Sequence, residues 1–184
     1  MPFFKSLKEG SGPADVFARY PEIYGFWTRM GQALMNGPSP LSPGEREMIQ
    51  AYVAGLNKCR FSYAGHRAAA EQWGIAGDTI DRLVDDPDAA PIEEKFRPLL
   101  SFVRKLTLTP SEMTQSDADA VFRAGWDEKA LHDTIAVTAR MNFMNRLVEG
   151  YGFTPMDPAR VRENAARRRK HGYVDMYPGL PEKR

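Results

Sequence analysis

The stretch that decides the fold is residues 59–66, Cys-Arg-Phe-Ser-Tyr-Ala-Gly-His, which opens a segment with helical spacing. On an α-helix, steps of three and seven residues turn roughly 300° and 700°. Cys59, Ser62 and His66 therefore share one stripe of the predicted helix. A thiol, a hydroxyl and an imidazole on one stripe are suited to nucleophilic or proton-transfer chemistry.

Helical patterns continue on both sides of this stretch, whereas period-two strand patterns are scarce. Upstream, Ser42-Pro43-Gly44-Glu45 predicts a capping box, and the helix that it begins should end near Gly55. Residues 56–57 then form a turn before the helix from about Cys59 to Gly74. The pattern as a whole predicts an all-α chain with short connections.

Apolar stripes and cap residues mark the other predicted helices. Short helices are expected at residues 78–85 and after a Ser116 cap, and Pro98 predicts a kink or a late start in its helix. A long helix should end at Gly150. The three stripes are Ile23, Phe26, Trp27, Met30 and Leu34; Phe96, Leu99, Leu100, Val103 and Leu106; and Leu131, Ile135, Ala139, Phe143 and Leu147.

Composition limits the classes of function. The 184 residues suit one domain, and the net charge of +1 gives no electrostatic argument for a nucleic-acid or membrane partner. A single cysteine excludes an intrachain disulfide and indicates a reducing compartment. The N-terminus lacks a signal-peptide pattern, and no stretch approaches the roughly 18 apolar residues of a membrane span. We therefore expect a cytoplasmic protein.

The helical pattern weakens from about Pro155 onward. We expect residues 1–154 to form the all-α domain, and residues 155–184 to form a solvated basic helix and an extended tail. The basic run at residues 167–170 is interpreted as a solvated face or a contact with a neighbouring subunit rather than a nucleic-acid site. Tyr173 and Tyr177 are assigned to the tail.

Glu47, twelve residues before Cys59, adds a carboxylate to the thiol, hydroxyl and imidazole. Glu47, Cys59, Ser62 and His66, within the stretches 41–47 and 56–66, resemble the alkylhydroperoxidase D-like family, a relative of the carboxymuconolactone decarboxylases. That family's signature is a Glu, a Cys-x-x-Cys twelve residues later, and a His after three more. Three of the four positions match, and Ser62 replaces the second cysteine.

A second stretch strengthens the resemblance. Residues 126–128, 131–133 and 142–147 resemble the distal helix of peroxidase-related members of the family. The similar region spans roughly residues 20–152. It implies a single-domain all-α bundle built around a helical hairpin and assembled as a homodimer or homohexamer.

The resemblance also implies roles for the site residues. In such relatives the Glu and His relay protons to the second cysteine, which attacks a peroxide and is then resolved by the first cysteine. This assigns the relay to Glu47 and His66 and the first-cysteine position to Cys59. Because a serine hydroxyl cannot form a sulfenic acid, Ser62 makes that two-cysteine cycle impossible within this chain.

Three hypotheses follow. In the first, Cys59 reduces a peroxide as an antioxidant, an external thiol resolves its sulfenic acid, and Ser62 only forms hydrogen bonds. In the second, Glu47, Ser62 and His66 perform acid–base or acyl chemistry on a carboxylated substrate, as in the lactone decarboxylase branch. In the third, the protein is a degenerate binding module.

Two other kinds of site are disfavoured. The Glu-His-Ser set is similar to a hydrolase triad, but no nucleophile-elbow pattern accompanies it. Cys59, His66 and Glu47 lack a second His or Cys at metal-ligand spacing. We therefore expect neither a metal nor a cofactor.

Overall fold

The computed structural model describes residues 1–174, and the regular structure within that range is helical throughout. The all-α prediction is confirmed, since these residues contain no strand. Nor do they contain a helix that is long and apolar enough to span a membrane. The helices are α1 (Pro13–Arg19), α2 (Pro21–Asn36), α3 (Pro43–Leu56), α4 (Arg60–Gln72), α5 (Gly77–Asp85), α6 (Phe96–Leu108), α7 (Gln115–Arg123), α8 (Glu128–Tyr151) and α9 (Pro158–His171), with a 3-10 turn at Pro110–Glu112.

The predicted capping box at the start of α3 is present. Glu45 N donates to Ser42 Oγ over 3.3 Å, and Ser42 N donates to Glu45 Oε2 over 2.6 Å. These reciprocal bonds satisfy two backbone donors that a helix start leaves unpaired. The helix therefore begins at a defined residue, which sets the positions of the side chains further along it.

A three-residue turn joins α3 to α4 and makes them a helical hairpin. Lys58 adopts a left-handed backbone conformation with φ of 57°, and Cys59 is the N-cap of α4. The side chain of Asn57 donates to Asn142 Oδ1 and Asn145 Oδ1 of α8 over 3.0 and 2.9 Å. The second motif of the sequence thus anchors the turn that precedes Cys59.

Three local predictions need adjustment. The N-cap of α7 is Thr114, whose hydroxyl pairs with Asp117, and not Ser116. Helix α8 ends at Tyr151, one residue beyond the predicted Gly150, because Gly152 provides the left-handed cap with φ of 68°. Pro98 neither kinks α6 nor delays it. It lies in the first turn, where a helix does not use the missing N–H.

Helix α3 lies at the centre of the fold. Every residue of this helix from Arg46 to Ala54 is buried. Helices α4, α6 and α8 pack around it. A helix that is enclosed on every side places any polar side chain in a low-dielectric interior, and this is the environment of Glu47.

Two of the apolar stripes face the core of this chain only in part. On α2, Ile23, Phe26 and Met30 are 57%, 66% and 44% exposed, and on α8, Ile135 and Phe143 are 40% and 44% exposed. The two stripes meet where the rings of Trp27 and Phe143 pack with centroids 4.4 Å apart. The buried faces of α2 and α8 combine apolar residues such as Met35 and Met141 with small and polar ones such as Gly31 and Thr138.

The C-terminal helix is not uniformly solvated. Val161 and Ala165 of α9 are buried against Ala68 and Ala69 of α4. The solvated-helix expectation is therefore wrong for this face, because small residues on α4 let α9 approach closely. The predicted extended tail, including Tyr177, lies outside the described residues except for residues 172–174.

Candidate active site

Glu47 and His66 form a buried pair at the centre of the hairpin. Glu47 Oε2 lies 2.7 Å from His66 Nδ1. Glu47 comes from the second turn of α3 and His66 from the second turn of α4, so the cap of each helix sets its position. Their exposed fractions are only 3% and 7%.

Two residues from the segment that was predicted to be a solvated helix and a tail, Arg168 and Tyr173, complete the cluster. Tyr173 Oη donates to Glu47 Oε1 over 2.7 Å. Arg168 Nη1 lies 3.5 Å from Glu47 Oε2 and 3.1 Å from His66 Nδ1. The spacing of Val161, Ala165 and Arg168 along one helical stripe is the signal that could have identified Arg168. Nothing comparable in the sequence pointed to Tyr173.

The surroundings determine the charges of the pair. Burial alone would raise the pKa of Glu47, but Arg168, His66 and the hydrogen bond from Tyr173 outweigh it and lower that pKa to about 2. Burial and the cation of Arg168 lower the pKa of His66 to about 4, although Glu47 opposes the shift. At neutral pH the pair is therefore a carboxylate beside a neutral imidazole.

The charge of Glu47 also determines the tautomer of His66. A carboxylate can only accept hydrogen bonds, so the proton of the neutral ring is on Nδ1 and is donated to Glu47 Oε2. Because Nδ1 already carries a proton, the guanidinium of Arg168 cannot donate a hydrogen bond to it and affects the pKa of His66 mainly through its positive charge. Nε2 of His66 carries a lone pair and is the nitrogen that can accept a proton.

His66 and Ser62 line a cavity of about 200 Å³. Helices α4, α8 and α9 and the segment before α1 enclose it. Its apolar wall includes Met141, Met144 and Val148, and its four arginines, Arg140, Arg160, Arg167 and Arg168, outnumber its single carboxylate, Asp15. A cavity of this size that combines apolar and cationic walls suits a small anionic molecule.

Cys59 is near this cavity but does not line it. Its side chain is fully buried, and its thiol donates to Ser62 Oγ over 3.4 Å. Cys59 lines a different cavity, between α4 and α5, together with Tyr63 and Asp81. Burial raises the pKa of the Cys59 thiol, and the hydrogen bond to Ser62 offsets this only in part. The thiol is therefore the protonated, less nucleophilic form at neutral pH.

The structure thus groups the four predicted site residues in two pairs. Glu47 contacts His66, and Cys59 contacts Ser62. Ser62 connects the pairs, because it touches the thiol and also lines the cavity of His66. Within residues 1–174, no three His, Cys, Asp or Glu side chains converge as a metal-binding group.

Comparison with known proteins supports the family resemblance. Residues 21–93 match the model of the carboxymuconolactone decarboxylase family. This region contains Glu47, Cys59, Ser62 and His66 but ends before Arg168 and Tyr173. No curated protein matches the chain significantly.

Two solved structures share the fold. An uncharacterised peroxidase-related protein from Silicibacter sp. TM1040 is 27% identical, with a TM-score of 0.68 over 80% of this chain and 88% of its own. An uncharacterised peroxidase-related protein from Ralstonia eutropha JMP134, described as an alkylhydroperoxidase AhpD core, is 24% identical. Its TM-score is 0.74, over 83% of this chain and 80% of its own. Residues 21–93 are thus similar to the carboxymuconolactone decarboxylase family, and the chain has the alkylhydroperoxidase D-like fold.

Proposed function

We propose that the protein is an acid–base enzyme of the carboxymuconolactone decarboxylase type, with His66 as the general base and Glu47 as the residue that orients it. One observation carries the proposal: the 2.7 Å Glu47–His66 contact lies at the wall of a cavity. A carboxylate that holds Nδ1–H of a neutral imidazole leaves Nε2 available for proton transfer.

The walls of the cavity support a small carboxylated substrate. The cations of Arg140, Arg167 and Arg168 favour a carboxylate, and the methionines favour an apolar carbon skeleton. In the reaction, Nε2 takes a proton from the carbon next to a carbonyl group, and the electron pair of that C–H bond moves onto the carbonyl oxygen. The imidazolium then returns the proton to a different carbon of the conjugated enolate, which restores the carbonyl group and shifts the carbon–carbon double bond, while the Ser62 hydroxyl donates a hydrogen bond to the substrate.

Carboxymuconolactone and simpler carboxylated lactones are the probes for this proposal. We expect turnover, followed by ultraviolet absorbance, to be lost in His66→Ala and to fall by about 10²-fold or more in Glu47→Gln. Cys59→Ser is the matched control and should retain it. Retained turnover in His66→Ala, or its loss in Cys59→Ser, contradicts the acid–base assignment.

A one-cysteine peroxidase is the second candidate, and the hydrogen bond between Cys59 and Ser62 favours it. In this scheme the Cys59 thiolate attacks a peroxide, the O–O bond breaks, and Cys59 becomes a sulfenic acid while water or an alcohol leaves. An external thiol displaces water from the sulfenic acid to form a mixed disulfide. A second thiol then reduces that disulfide and restores Cys59. Such a role would be antioxidant.

Hydrogen peroxide distinguishes the two candidates. With a sulfenic-acid trap present, intact mass over seconds to minutes measures adduct formation at Cys59. An adduct that forms faster than on free cysteine supports the peroxidase. One that forms no faster supports the acid–base enzyme, since the chain contains no other cysteine. A degenerate binding module would show neither reaction and would retain a ligand through purification.

We also propose that the protein acts as a homodimer or homohexamer. The support is the continuous apolar surface on α2 and α8, where Phe26 and Phe143 are 66% and 44% exposed. Apolar surface of this kind is stabilised when a partner covers it. A second copy of the chain is the partner that the family resemblance favours.

A further inference from the structure

We propose that α9 and the turn after it supply two positioning residues, Arg168 and Tyr173, without which the Glu47–His66 pair is not set for proton transfer. This inference rests on the proposed acid–base function. It adds residues that lie outside the region matching the family, which ends at residue 93. The C-terminal segment, which the sequence pattern predicts to be solvated, would then hold Glu47 and His66 in position.

The docking of α9 is built into its sequence. Asp157 caps the helix by accepting from Ala159 N and Arg160 N, and Pro158 occupies the first position. Val161 and Ala165 then pack against α4. Arg168 follows on the same stripe, so the packing that holds α9 to α4 also directs its guanidinium toward His66.

Gly172 turns the chain back into the protein. Its φ of 69° is in the left-handed region, and a Cβ at this position would collide with Gln32 Oε1. That same oxygen accepts a hydrogen bond from Tyr173 N over 2.6 Å. The turn therefore needs glycine, and it delivers Tyr173 to a position where only 2% of its surface is exposed.

Tyr173 is held by several contacts at once. Its hydroxyl donates to Glu47 Oε1 and accepts from Gln50 Nε2 over 3.2 Å. Arg140 Nη1 in turn donates to Gln50 Oε1 over 2.6 Å. The tyrosine ring lies close to two guanidinium groups, 4.6 Å from Arg140 and 5.2 Å from Arg168. Such a network restricts Glu47 to one orientation.

The two carboxylate oxygens of Glu47 consequently have different partners. Oε1 is occupied by Tyr173, so Oε2 is the oxygen that receives Nδ1–H of His66. The charged groups that act most strongly on His66 are Glu47 from α3, Arg140 from α8 and Arg168 from α9, while Asp15, Arg160 and Arg167 line the same cavity. Because the two cations outnumber the single carboxylate, removing one of them favours the imidazolium over the neutral base.

Heteronuclear NMR of isotope-labelled histidine tests this without any substrate. The chain has three histidines, so His132→Gln with His171→Gln leaves His66 as the only signal. In that background the titration and the nitrogen shifts report the pKa and the tautomer of His66. We expect a pKa near 4 and a proton on Nδ1.

Arg168→Met should raise the pKa of His66 from about 4 toward its ordinary value of 6.5, and Arg168→Lys should keep it low. Tyr173→Phe keeps the ring but removes the hydroxyl, so we expect it to alter the population of the Nδ1-protonated tautomer. Arg162→Met, at an exposed position on the same helix, is the control and should change neither quantity. Melting curves identify any variant that fails to fold.

The proposal is overturned if His66 titrates near 6.5 in the parent, or if Arg168→Met and Arg162→Met give the same pKa. The proposed function fails separately, through retained lactone turnover in His66→Ala. A shifted pKa in Arg168→Met therefore supports the positioning role even where lactone turnover is absent.

Discussion

Cys59 and His66 lie on the same helical stripe, yet their side chains line different cavities. Cys59 starts α4 and lines the cavity next to α5, whereas His66, two turns further along, faces the cavity beneath α9. The fully buried thiol hydrogen-bonds to Ser62, and the imidazole hydrogen-bonds to Glu47. This separation favours proton transfer over thiol chemistry as the activity of the site. It also means that the accessibility of Cys59 and the charge state of His66 can be measured independently.

The accessibility of Cys59 is the first test. Since its side chain has no exposed surface and burial raises its pKa, we expect iodoacetamide to alkylate it at least about tenfold more slowly than free cysteine at neutral pH. Intact mass against time measures the rate. Addition of a denaturant should remove the difference. Alkylation as fast as that of free cysteine in the native protein would show that the thiol opens to solvent.

Restoring the second cysteine is the next test. The Cys59 Sγ to Ser62 Oγ distance of 3.4 Å is longer than the roughly 2.05 Å of a disulfide, but a rotation about the side-chain bonds closes such a gap. After hydrogen peroxide treatment, we expect the Ser62→Cys variant to form a disulfide between Cys59 and the introduced thiol, and to gain dithiol-dependent peroxide turnover. Ser62→Ala is the control. If Ser62→Cys shows neither, the relay of Glu47 and His66 does not reach position 62.

The pH dependence of stability tests the charge states of the pair. The pKa of His66 is about 4 in the folded protein and near 6.5 in the unfolded chain, so the unfolded state binds more protons between these values. The free energy of unfolding should therefore rise with pH across that window, by an amount on the order of 3 kcal/mol. The pKa of Glu47 is shifted down from 4.5 to about 2, so protonation of this carboxylate removes further stability as the pH falls through that range.

Urea unfolding at a series of pH values measures this dependence. His66→Gln should flatten the curve between pH 4 and 6.5 and reduce the loss at lower pH without removing it, because Arg168 and Tyr173 still stabilise the Glu47 carboxylate. His171→Gln, at an exposed histidine at the end of α9, should reproduce the parent curve. An unchanged slope in His66→Gln would mean that His66 is not held neutral.

The turn at Gly172 provides a test of how Tyr173 is delivered. Gly172→Ala introduces both a left-handed alanine and a collision with Gln32 Oε1, whereas Gly74→Ala, with φ of 87° and open space, introduces only the backbone strain. We expect Gly74→Ala to cost about 1 kcal/mol and Gly172→Ala about 0.5–1.5 kcal/mol more, because Gln32 must turn away and lose its hydrogen bond from Tyr173 N. Gly172→Ala alone should also raise the pKa of Glu47, as measured by NMR of its carboxyl carbon.

The exposed surface of α2 and α8 makes a prediction about assembly. Phe26→Glu places a charge at its most exposed large residue, so sedimentation velocity should show dissociation of an oligomer to the monomer. Phe122→Glu on α7, where the side chain is 36% exposed, is the control and should leave the mass unchanged. A parent protein that is monomeric at micromolar concentration contradicts the proposed homo-oligomer.

Local sequence determined most of the secondary structure. The Ser42–Glu45 cap and the helical spacing from Cys59 to His66 depend on contacts between near neighbours, and α3 and α4 occur within one or two residues of their predicted bounds. The turn between them is at residues 57–59 rather than at the predicted residues 56–57. The predicted N-cap of α7, Ser116, and the predicted end of α8, Gly150, differ from the structure by two residues and one residue. The nearby residues Thr114 and Gly152 cap these helices instead. The Glu-Cys-Ser-His spacing also indicated the family resemblance, and it lies within the residues, 21–93, that match the family model.

Only the tertiary structure decided which surfaces and side chains meet. Apolar stripes on α2 and α8 show that a helix has an apolar face, but the stripe alone does not say whether this chain or a partner covers it. Arg168 and Tyr173 are separated from Glu47 by more than 100 residues, and their role depends on how α9 docks and where Gly172 turns. Likewise, the sequence determined that Cys59 and His66 share a stripe. Their separation into two cavities depends on the helices that pack against each end of α4, because packing between distant segments is not encoded in the spacing along one helix.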